Sequence, residues 1–306
     1  MIPYIHSPAL TIGPFSLVGS GLTTIGLIIA LLFAHRRAKR LNIDTKRLDS
    51  FLLWMLIGGV VGGHLSDVLA YRLPEIVELT DGHIFWKEPW ELARVWHGWR
   101  SVGGFAGAIL AAFLWRGYSF RSTTWLRLSE FVAIEGYWFV ARKRHEPILA
   151  LADVALSVFP VAWAFNRAGA ALLHEHPGTR ASASSLFAVA YPDSNSILSS
   201  GFALIRGNVP RYDLGLLELL VTLLLLLCVS MSWKKPLRTG VYVCLTGLVY
   251  PPARFLFDFL ARRSGDAVDP RFWALTPAQW GFAALSLLGA FMLVKLWLSP
   301  AEAHPA

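Results

Sequence analysis

The sequence contains little charge and almost no cysteine. Of its 306 residues, 16% are charged, 55% are hydrophobic and two are cysteines. Cys228 and Cys244 lie inside apolar stretches, where a thiol more often packs than forms a disulfide or binds a metal. The sequence has no CxxC, HExxH or P-loop pattern and no nucleic-acid-binding motif. We therefore expect no cofactor, no metal site and no nucleic acid among its partners.

Long apolar stretches dominate what is present. Most of them approach the roughly 20 residues that a helix needs to cross a bilayer. Besides seven longer stretches, a short apolar piece at 131–140 is interrupted by Glu135 and Gly136. It fits a re-entrant, interfacial or inserted segment. We predict an all-α polytopic membrane protein with seven transmembrane helices in a single domain over residues 1–306. The predicted spans are Ile12–Ala34, Phe51–Ala70, Val102–Trp115, Leu149–Leu173, Leu214–Met231, Gly240–Leu260 and Trp280–Leu298.

Basic residues mark one side of the predicted bundle. They crowd the segment after the first span, HRRAKRLNIDTKR, and recur after the third and fifth spans. Because Lys and Arg are enriched in cytoplasmic loops, we expect the N-terminus outside and the C-terminus in the cytoplasm. The first stretch lacks a basic n-region and an A-x-A site, so it predicts a retained span. The net charge of +8 is then mainly a signal of topology.

Several ionisable residues fall at membrane depth. A charged side chain there costs roughly 2.5–3.5 kcal/mol on insertion scales, so each is expected to face the bundle interior or a wet cavity. Each has two interpretations, a structural ion pair or a functional group. Arg167 and Arg254 lie toward the outer half of their spans, where two guanidiniums suit a phosphate. The full set is His64, Asp67, Asp153, Arg167, Glu218, Arg254 and Asp258.

The segment NRAGAALLHEHPG resembles the signature of the bacterial prolipoprotein diacylglyceryl transferases, G-R-x-G-N-F-x-N-x-E-x-x-G, with Arg167, Gly169, Glu175 and Gly178 in register. The resemblance continues collinearly over nearly the whole chain. IPYIHSPALTIGPFSL is similar to the family's N-terminal strand and turn. Further matching segments are GGVVGGHLSDVLAY with Tyr71, LADVALSVFP with Asp153, PRYDLGLLE with Arg211 and Glu218, and YPPARFLFDF with Tyr250, Arg254 and Asp258.

The resemblance implies a reaction and its partners. Family members transfer the diacylglyceryl group of phosphatidylglycerol to the lipobox cysteine thiol of a preprolipoprotein, whose signal peptide enters from the membrane lipid. The implied setting is the bacterial inner membrane, with a multi-pass monomer and a periplasmic head formed by residues 174–213. Arg167 and Arg254 would hold the leaving phosphate, and Tyr250 would bind the headgroup or orient Arg254.

The remaining residues carried over from the family have supporting or substrate-binding roles. Glu175, Glu218 and Asp153 would fix the two arginines in place, with structural ion pairs as the alternative. Gly169 and Tyr71 are carried over as substrate-binding positions.

The chain departs from the family pattern at the expected base. The family histidine before the paired glycines of the third span is Val102, which cannot accept a proton. His64, three residues before Asp67 on one helix face, is the predicted substitute base, with a buried polar pair as the alternative. Other candidates are His97, His174 and His176. The last two also fit a solvated helix end stopped by Pro177 and Gly178, whereas a metal site at HEH is disfavoured.

Other readings stay open. Loss of the histidine fits a non-catalytic anionic-lipid-binding paralogue or a transferase with another acceptor. A transporter is less favoured because the sequence shows no internal repeat or paired broken helices. Residues 117–148 form a cytoplasmic insertion, predicted either as an amphipathic interfacial helix or as an insertion without function.

Overall fold

The structure is a computed structural model. It describes residues 1–7, 11–12, 15–80, 83–94, 98–127, 133–141, 148–192, 203–205, 208–261 and 269–298. His97 and parts of the predicted insertion lie outside the described residues.

Eight helices make up most of the described chain, and each predicted span corresponds to one of them. Six have the length and composition to cross a membrane: α1, α2, α5, α6, α8, and α7 with its 3-10 extension to Leu260. The apolar helix α4 is shorter, with 17 residues. The prediction of a helical polytopic membrane protein is confirmed, and the count of seven spans stays a prediction. The helices are α1 Leu17–Arg40, α2 Thr45–Ala70, α3 Leu73–Ile76, α4 Ser101–Gly117, α5 Leu149–Leu172, α6 Leu214–Ser232, α7 Val241–Phe257 and α8 Pro277–Leu298.

Strands occupy the segments between and before these helices. They form one five-stranded sheet, in the order β10-β1-β9-β11-β8, and three two-stranded hairpins. The strands are β1 Ile2–His6, β2 Thr11–Ile12, β3 Phe15–Ser16, β4 Val77–Thr80, β5 His83–Trp86, β6 Tyr118–Arg127, β7 Ala133–Ala141, β8 Pro177–Arg180, β9 Ala188–Tyr191, β10 Ala203–Ile205 and β11 Val209–Asp213.

The chain divides into two compact units, which we describe separately: residues 44–151, and residues 1–43 together with 152–306. In the first unit, α2 and α4 pack through glycines. A Cβ on Gly62 would lie 2.4 Å from the carbonyl oxygen of Gly103, and one on Gly107 would lie 2.1 Å from that of Gly58. Only glycine allows backbones this close, so the GGVVGG run, Gly58–Gly63, serves helix packing.

The predicted interfacial helix in the insertion is wrong. β6 and β7 pair antiparallel, from Tyr118 opposite Ala141 to Arg127 opposite Ala133. The composition misled because aromatic and β-branched residues favour strands as much as interfacial helices. The short apolar piece at 131–140 belongs largely to β7.

In the second unit, β1 and the four strands β8, β9, β10 and β11 build the five-stranded sheet. β1 pairs with β10 and β9, and β11 pairs with β9 and β8. The strand predicted at the N-terminus is therefore confirmed. The sheet links the ends of α5 and α6, because β8 follows α5 and β11 leads directly into α6.

The basic run after the first span is helical, contrary to the predicted loop. α1 continues to Arg40, and only residues 41–44 separate it from α2. Arg37 is buried, and its guanidinium carbon lies 4.4 Å from the Tyr242 ring centroid and 5.0 Å from that of Trp233. Contact with these two aromatic rings stabilises the buried guanidinium of Arg37.

Candidate functional site

The carboxylate of Glu218 on α6 is the centre of a buried charged cluster. Its side chain is 1% exposed. The Tyr250 hydroxyl donates to Oε2 at 2.7 Å, and Arg167 Nη1 donates to the same oxygen at 3.2 Å. Arg254 Nε lies 3.1 Å from Oε1, at ion-pair distance but without hydrogen-bond alignment. Three helices, α5, α6 and α7, thus place two guanidiniums on one carboxylate.

Arg167 is fixed from several directions. Its Nε and Nη2 donate to Asn166 Oδ1 at 2.9 and 2.6 Å, and its guanidinium carbon lies 4.7 Å from the Trp163 ring centroid. Asn166 in turn donates to Thr23 Oγ1 of α1 at 3.0 Å. These contacts hold the arginine in one orientation before any ligand arrives.

Arg254 has its own carboxylate. Nη1 donates to Asp258, four residues further along the chain, and Asp258 accepts a 2.5 Å hydrogen bond from the Thr276 hydroxyl at the start of α8. The guanidinium carbon also lies 5.7 Å from the Phe282 ring centroid. Because Asp258 is 2% exposed, this second pair is also shielded from water.

The cluster is formally neutral, with two arginines and two carboxylates. It therefore attracts an anion through individual N–H groups of the two arginines and not through a net positive charge. A guanidinium carries five N–H donors, and the contacts above use only part of them on Arg167 and Arg254. The remaining N–H groups are held in place in a site that excludes most water, where charge-assisted hydrogen bonds to an oxyanion are strong.

The backbone after α5 ties this cluster together. The Glu175 amide donates to the Ala170 carbonyl at 3.2 Å, and His174 takes a left-handed φ of 49° that ends the helix. The predicted stop at Pro177 is thus several residues too late. Gly178 follows in a crowded place, where a Cβ would lie 2.7 Å from the Leu260 carbonyl oxygen and 2.9 Å from that of Tyr212. Only glycine fits between these two backbones.

His174 forms a buried polar group with the sheet. Its Nδ1 lies 2.5 Å from Asp213 Oδ2, which also accepts from the Tyr191 hydroxyl at 2.8 Å. The ring stacks on Tyr4 at a centroid distance of 4.0 Å. Burial, and next the charge of Asp213, raise the pKa of Tyr4. The alternative of a solvated helix end is therefore wrong for His174, which joins β1, β9 and the start of α6.

His176 and Glu175 are exposed. Although His176 keeps contact with solvent, the surrounding protein atoms, and next the positive charge of Arg167, lower its pKa below the ordinary 6.5. Arg254 acts in the same direction, whereas Glu218 and Glu175 oppose it. The second histidine of HEH thus experiences the field of the charged cluster.

Asp153 is not part of the cluster. It lies near the other end of α5, roughly 20 Å from Arg167 at 1.5 Å per residue. Its Oδ1 accepts from the backbone amides of Tyr242 and Val243 at 2.8 and 3.3 Å, which caps α7. The expectation that Asp153 fixes an arginine of the pair is thus not met, because the capping of α7 occupies its carboxylate.

In the unit of residues 44–151, Asp67 does not orient His64. Its two oxygens accept from Arg72 Nε at 2.7 Å and Arg100 Nε at 2.9 Å. The His64 ring is buried, with Nε2 3.2 Å from the Leu92 carbonyl oxygen. The guanidinium carbon of Arg100 lies 3.8 Å from the Tyr71 ring centroid. The predicted Asp–His pair is therefore replaced by arginine ion pairs.

Comparison with known proteins agrees with this arrangement. The family model of prolipoprotein diacylglyceryl transferase matches residues 8–135 and 131–295. The chain belongs to this family. Among similar proteins, the phosphatidylglycerol–prolipoprotein diacylglyceryl transferase of Anaplasma marginale (strain Florida) is 25% identical, over 88% of this chain and 81% of its own length. The protein of that name from Rhodopseudomonas palustris is 26% identical, over 99% and 96%.

In this member of the prolipoprotein diacylglyceryl transferase family, four residues predicted from sequence lie in the cluster. Arg167, Glu218, Tyr250 and Arg254, all singled out from sequence, come together. Gly169 lies beside α1, where a Cβ would be 3.1 Å from Gly19 Cα, so it serves helix packing.

Sequence reasoning missed the residues that support the cluster of this diacylglyceryl transferase family member. They are Asn166, Trp163, Thr276 and Asp213. Only Asp213 had a signal, because an aspartate directly before an apolar run predicts a helix N-cap; it accepts from the Leu216 amide at 3.0 Å. The other three act through contacts between distant segments or with a neighbouring charge.

Proposed function

We propose that this protein transfers the diacylglyceryl group of phosphatidylglycerol to the cysteine thiol of a prolipoprotein. The names of its relatives supply the donor and the acceptor. The observation that carries the proposal is the pairing of Arg167 and Arg254 on the buried carboxylate of Glu218. Two guanidiniums fixed a short distance apart are suited to bind the phosphate of a phospholipid headgroup.

The cluster supports the transfer chemistry in a simple way. The thiolate sulfur attacks the diacylglyceryl carbon that is bonded to the phosphate oxygen. The carbon–sulfur bond forms, the carbon–oxygen bond breaks, and glycerol phosphate leaves with the electron pair. Arg167 and Arg254 stabilise the charge on the leaving phosphate, and Tyr250, which donates to Glu218, positions the carboxylate between them.

The other predicted residues have supporting roles in this proposal. Glu175, exposed beside His176, borders the entrance of the acceptor, and Gly169 allows α1 and α5 to approach. Tyr71, stacked on Arg100, stabilises the end of α2, and Asp153 caps α7. His64 as the base stays a prediction from sequence.

The proposed setting is a bacterial inner membrane. Seven spans, with α4 as the short one, put the N-terminus and the sheet outside, and the basic end of α1 and the lysines after α6 in the cytoplasm. In this arrangement the Glu218 cluster, one turn into α6 from the sheet, lies in the outer half of the membrane. The protein then works as a single-domain monomer that takes lipid and signal peptide from the bilayer.

The test is direct detection of both products. The purified protein is placed in liposomes of phosphatidylglycerol with a lipobox peptide, and mass spectrometry follows the diacylglyceryl thioether and the released glycerol phosphate. We expect both from the wild type, and neither with a peptide whose lipobox cysteine is serine. Lipid binding without either product would contradict the proposal and favour a lipid-binding paralogue or a different acceptor.

A further inference from the structure

We propose that His176 is the general base that takes the proton from the acceptor thiol, an assignment that rests on the proposed transfer function. A thiol reacts as the thiolate, so the reaction needs a proton acceptor or a field that ionises the thiol. The position where the family has its histidine is Val102, whose side chain accepts no proton. A histidine elsewhere in the chain can supply the base.

Backbone contacts place His176 where the three helices of the cluster meet. It follows the end of α5, the helix that carries Arg167. Its carbonyl accepts from the Leu214 amide at 3.1 Å, at the first residue of α6. Two residues later, Gly178 forms a β-bridge with Ala261, just after the 3-10 turn that ends α7.

The distance from these contacts to the charged cluster is short. Leu214 and Glu218 lie one turn apart on the same face of α6, about 6 Å along the helix. Arg167, Glu218 and Arg254, one from each of the three helices, all act electrostatically on the His176 ring, together with its neighbour Glu175.

The charges favour the neutral form of this imidazole. The surrounding protein atoms, and next Arg167, lower the pKa of His176 below 6.5, which favours the uncharged ring that can accept a proton at neutral pH. Once protonated, it becomes a cation beside the leaving phosphate. The same proton can then pass to the phosphate oxygen.

The other described candidates are enclosed. His174 has Nδ1 on Asp213, and its Nε2 is buried without a partner, so neither nitrogen meets a substrate. The His64 ring is 1% exposed, with Nε2 at the Leu92 carbonyl and Nδ1 buried. Of these three rings, only that of His176 belongs to an exposed residue.

The proposed step is balanced without any further reactant. His176 takes the thiol proton and becomes imidazolium, and the thiolate displaces glycerol phosphate from the diacylglyceryl carbon. The carbon–oxygen electron pair stays on the phosphate, which recovers the proton from His176 or from water. No oxidant or reductant is involved.

The experiment compares His176→Gln with His35→Gln in the same liposome assay from pH 5 to 9. His35 lies on α1, about 24 Å along the helix axis from Gly19, where α1 contacts α5. For His176→Gln we expect a fall in kcat of about 100-fold or more, a nearly unchanged KM for phosphatidylglycerol, and loss of the acid limb of the pH profile. His35→Gln is expected to keep the wild-type rate and profile.

A purely structural role would give a different result. Imidazole in solution should partly restore the rate of His176→Ala, which a folding defect would not allow. The assignment would be overturned if His176→Gln kept the wild-type rate and the acid limb of the pH profile. It would also be overturned if the acid limb were lost in His64→Gln instead. A wild-type protein that makes no thioether would instead overturn the proposed function, and this assignment with it.

Discussion

Glu218 determines how the two functional arginines are held. It is fully buried, accepts from Tyr250 and Arg167, and lies at ion-pair distance from Arg254. Without it, two cations would face each other in a site of low dielectric constant. Removal of one partner from a buried ion pair typically destabilises a protein by about 3–5 kcal/mol, because the remaining charge loses its compensation.

Glu218→Gln tests this role at constant side-chain shape. We expect a loss of stability on the order of 3 kcal/mol in detergent unfolding, together with weaker binding of phosphatidylglycerol as the arginines separate. Glu175→Gln, in an exposed position just after α5, is the matched control and should change the stability by less than about 0.5 kcal/mol. Equal stability of both variants would contradict the account.

The identity of the cluster residues could be predicted from sequence, but their partners could not. Arg167 and Arg254 stand out because charges are rare inside apolar spans. Asp67 and Asp153 stand out for the same reason, yet the first binds Arg72 and Arg100 and the second caps α7. Arg100 and the start of α7 are distant in the chain from the carboxylates that they contact, and a one-dimensional pattern contains no information on such pairings.

At the scale of elements, close helix packing in the 44–151 unit depends on glycines that face each other. Helix spans were predictable because the bilayer requires long apolar segments whose backbone groups bond internally. The β6–β7 hairpin and the five-stranded sheet were not. The strands of the sheet are short and pair with segments far away in the chain, as β1 does with β9. The longer strands β6 and β7 are neighbours in the chain, but their aromatic and β-branched composition fits an interfacial helix as well as a strand.

Gly107→Ala is expected to separate α2 from α4. The new Cβ would meet the Gly58 carbonyl oxygen at 2.1 Å, a backbone atom that cannot move alone, and overpacking of this kind costs roughly 1–3 kcal/mol. Gly21→Ala on α1 is the control, because a Cβ there meets nothing within 4 Å. Thermal unfolding in detergent should show a lower melting temperature for Gly107→Ala and no decrease in melting temperature for Gly21→Ala. Alanine favours a helix over glycine, so helix propensity cannot lower the stability of either variant, and a matching decrease in both would contradict the packing account.

For the molecule as a whole, the proposed orientation places the β8–β9 connection outside the cell membrane and the α6–α7 connection in the cytoplasm. Ser184 lies in the β8–β9 connection and Lys235 in the α6–α7 connection, and both are exposed. In a background with Cys228 and Cys244 replaced by alanine, Ser184→Cys should react with a membrane-impermeant maleimide in spheroplasts. Lys235→Cys should react only after permeabilisation. The reverse pattern would show that the orientation is inverted.

The central claim is that Arg167 and Arg254 together hold the phosphate of phosphatidylglycerol. The most direct measurement is native mass spectrometry of the purified protein with phosphatidylglycerol and, in parallel, with diacylglycerol, which lacks the phosphate. We predict that Arg167→Gln and Arg254→Gln each lose at least tenfold in affinity for phosphatidylglycerol, about 1.4 kcal/mol, while remaining folded. Arg36→Gln, an exposed arginine near the end of α1, should bind like the wild type. Unchanged affinity in both cluster variants would contradict the account.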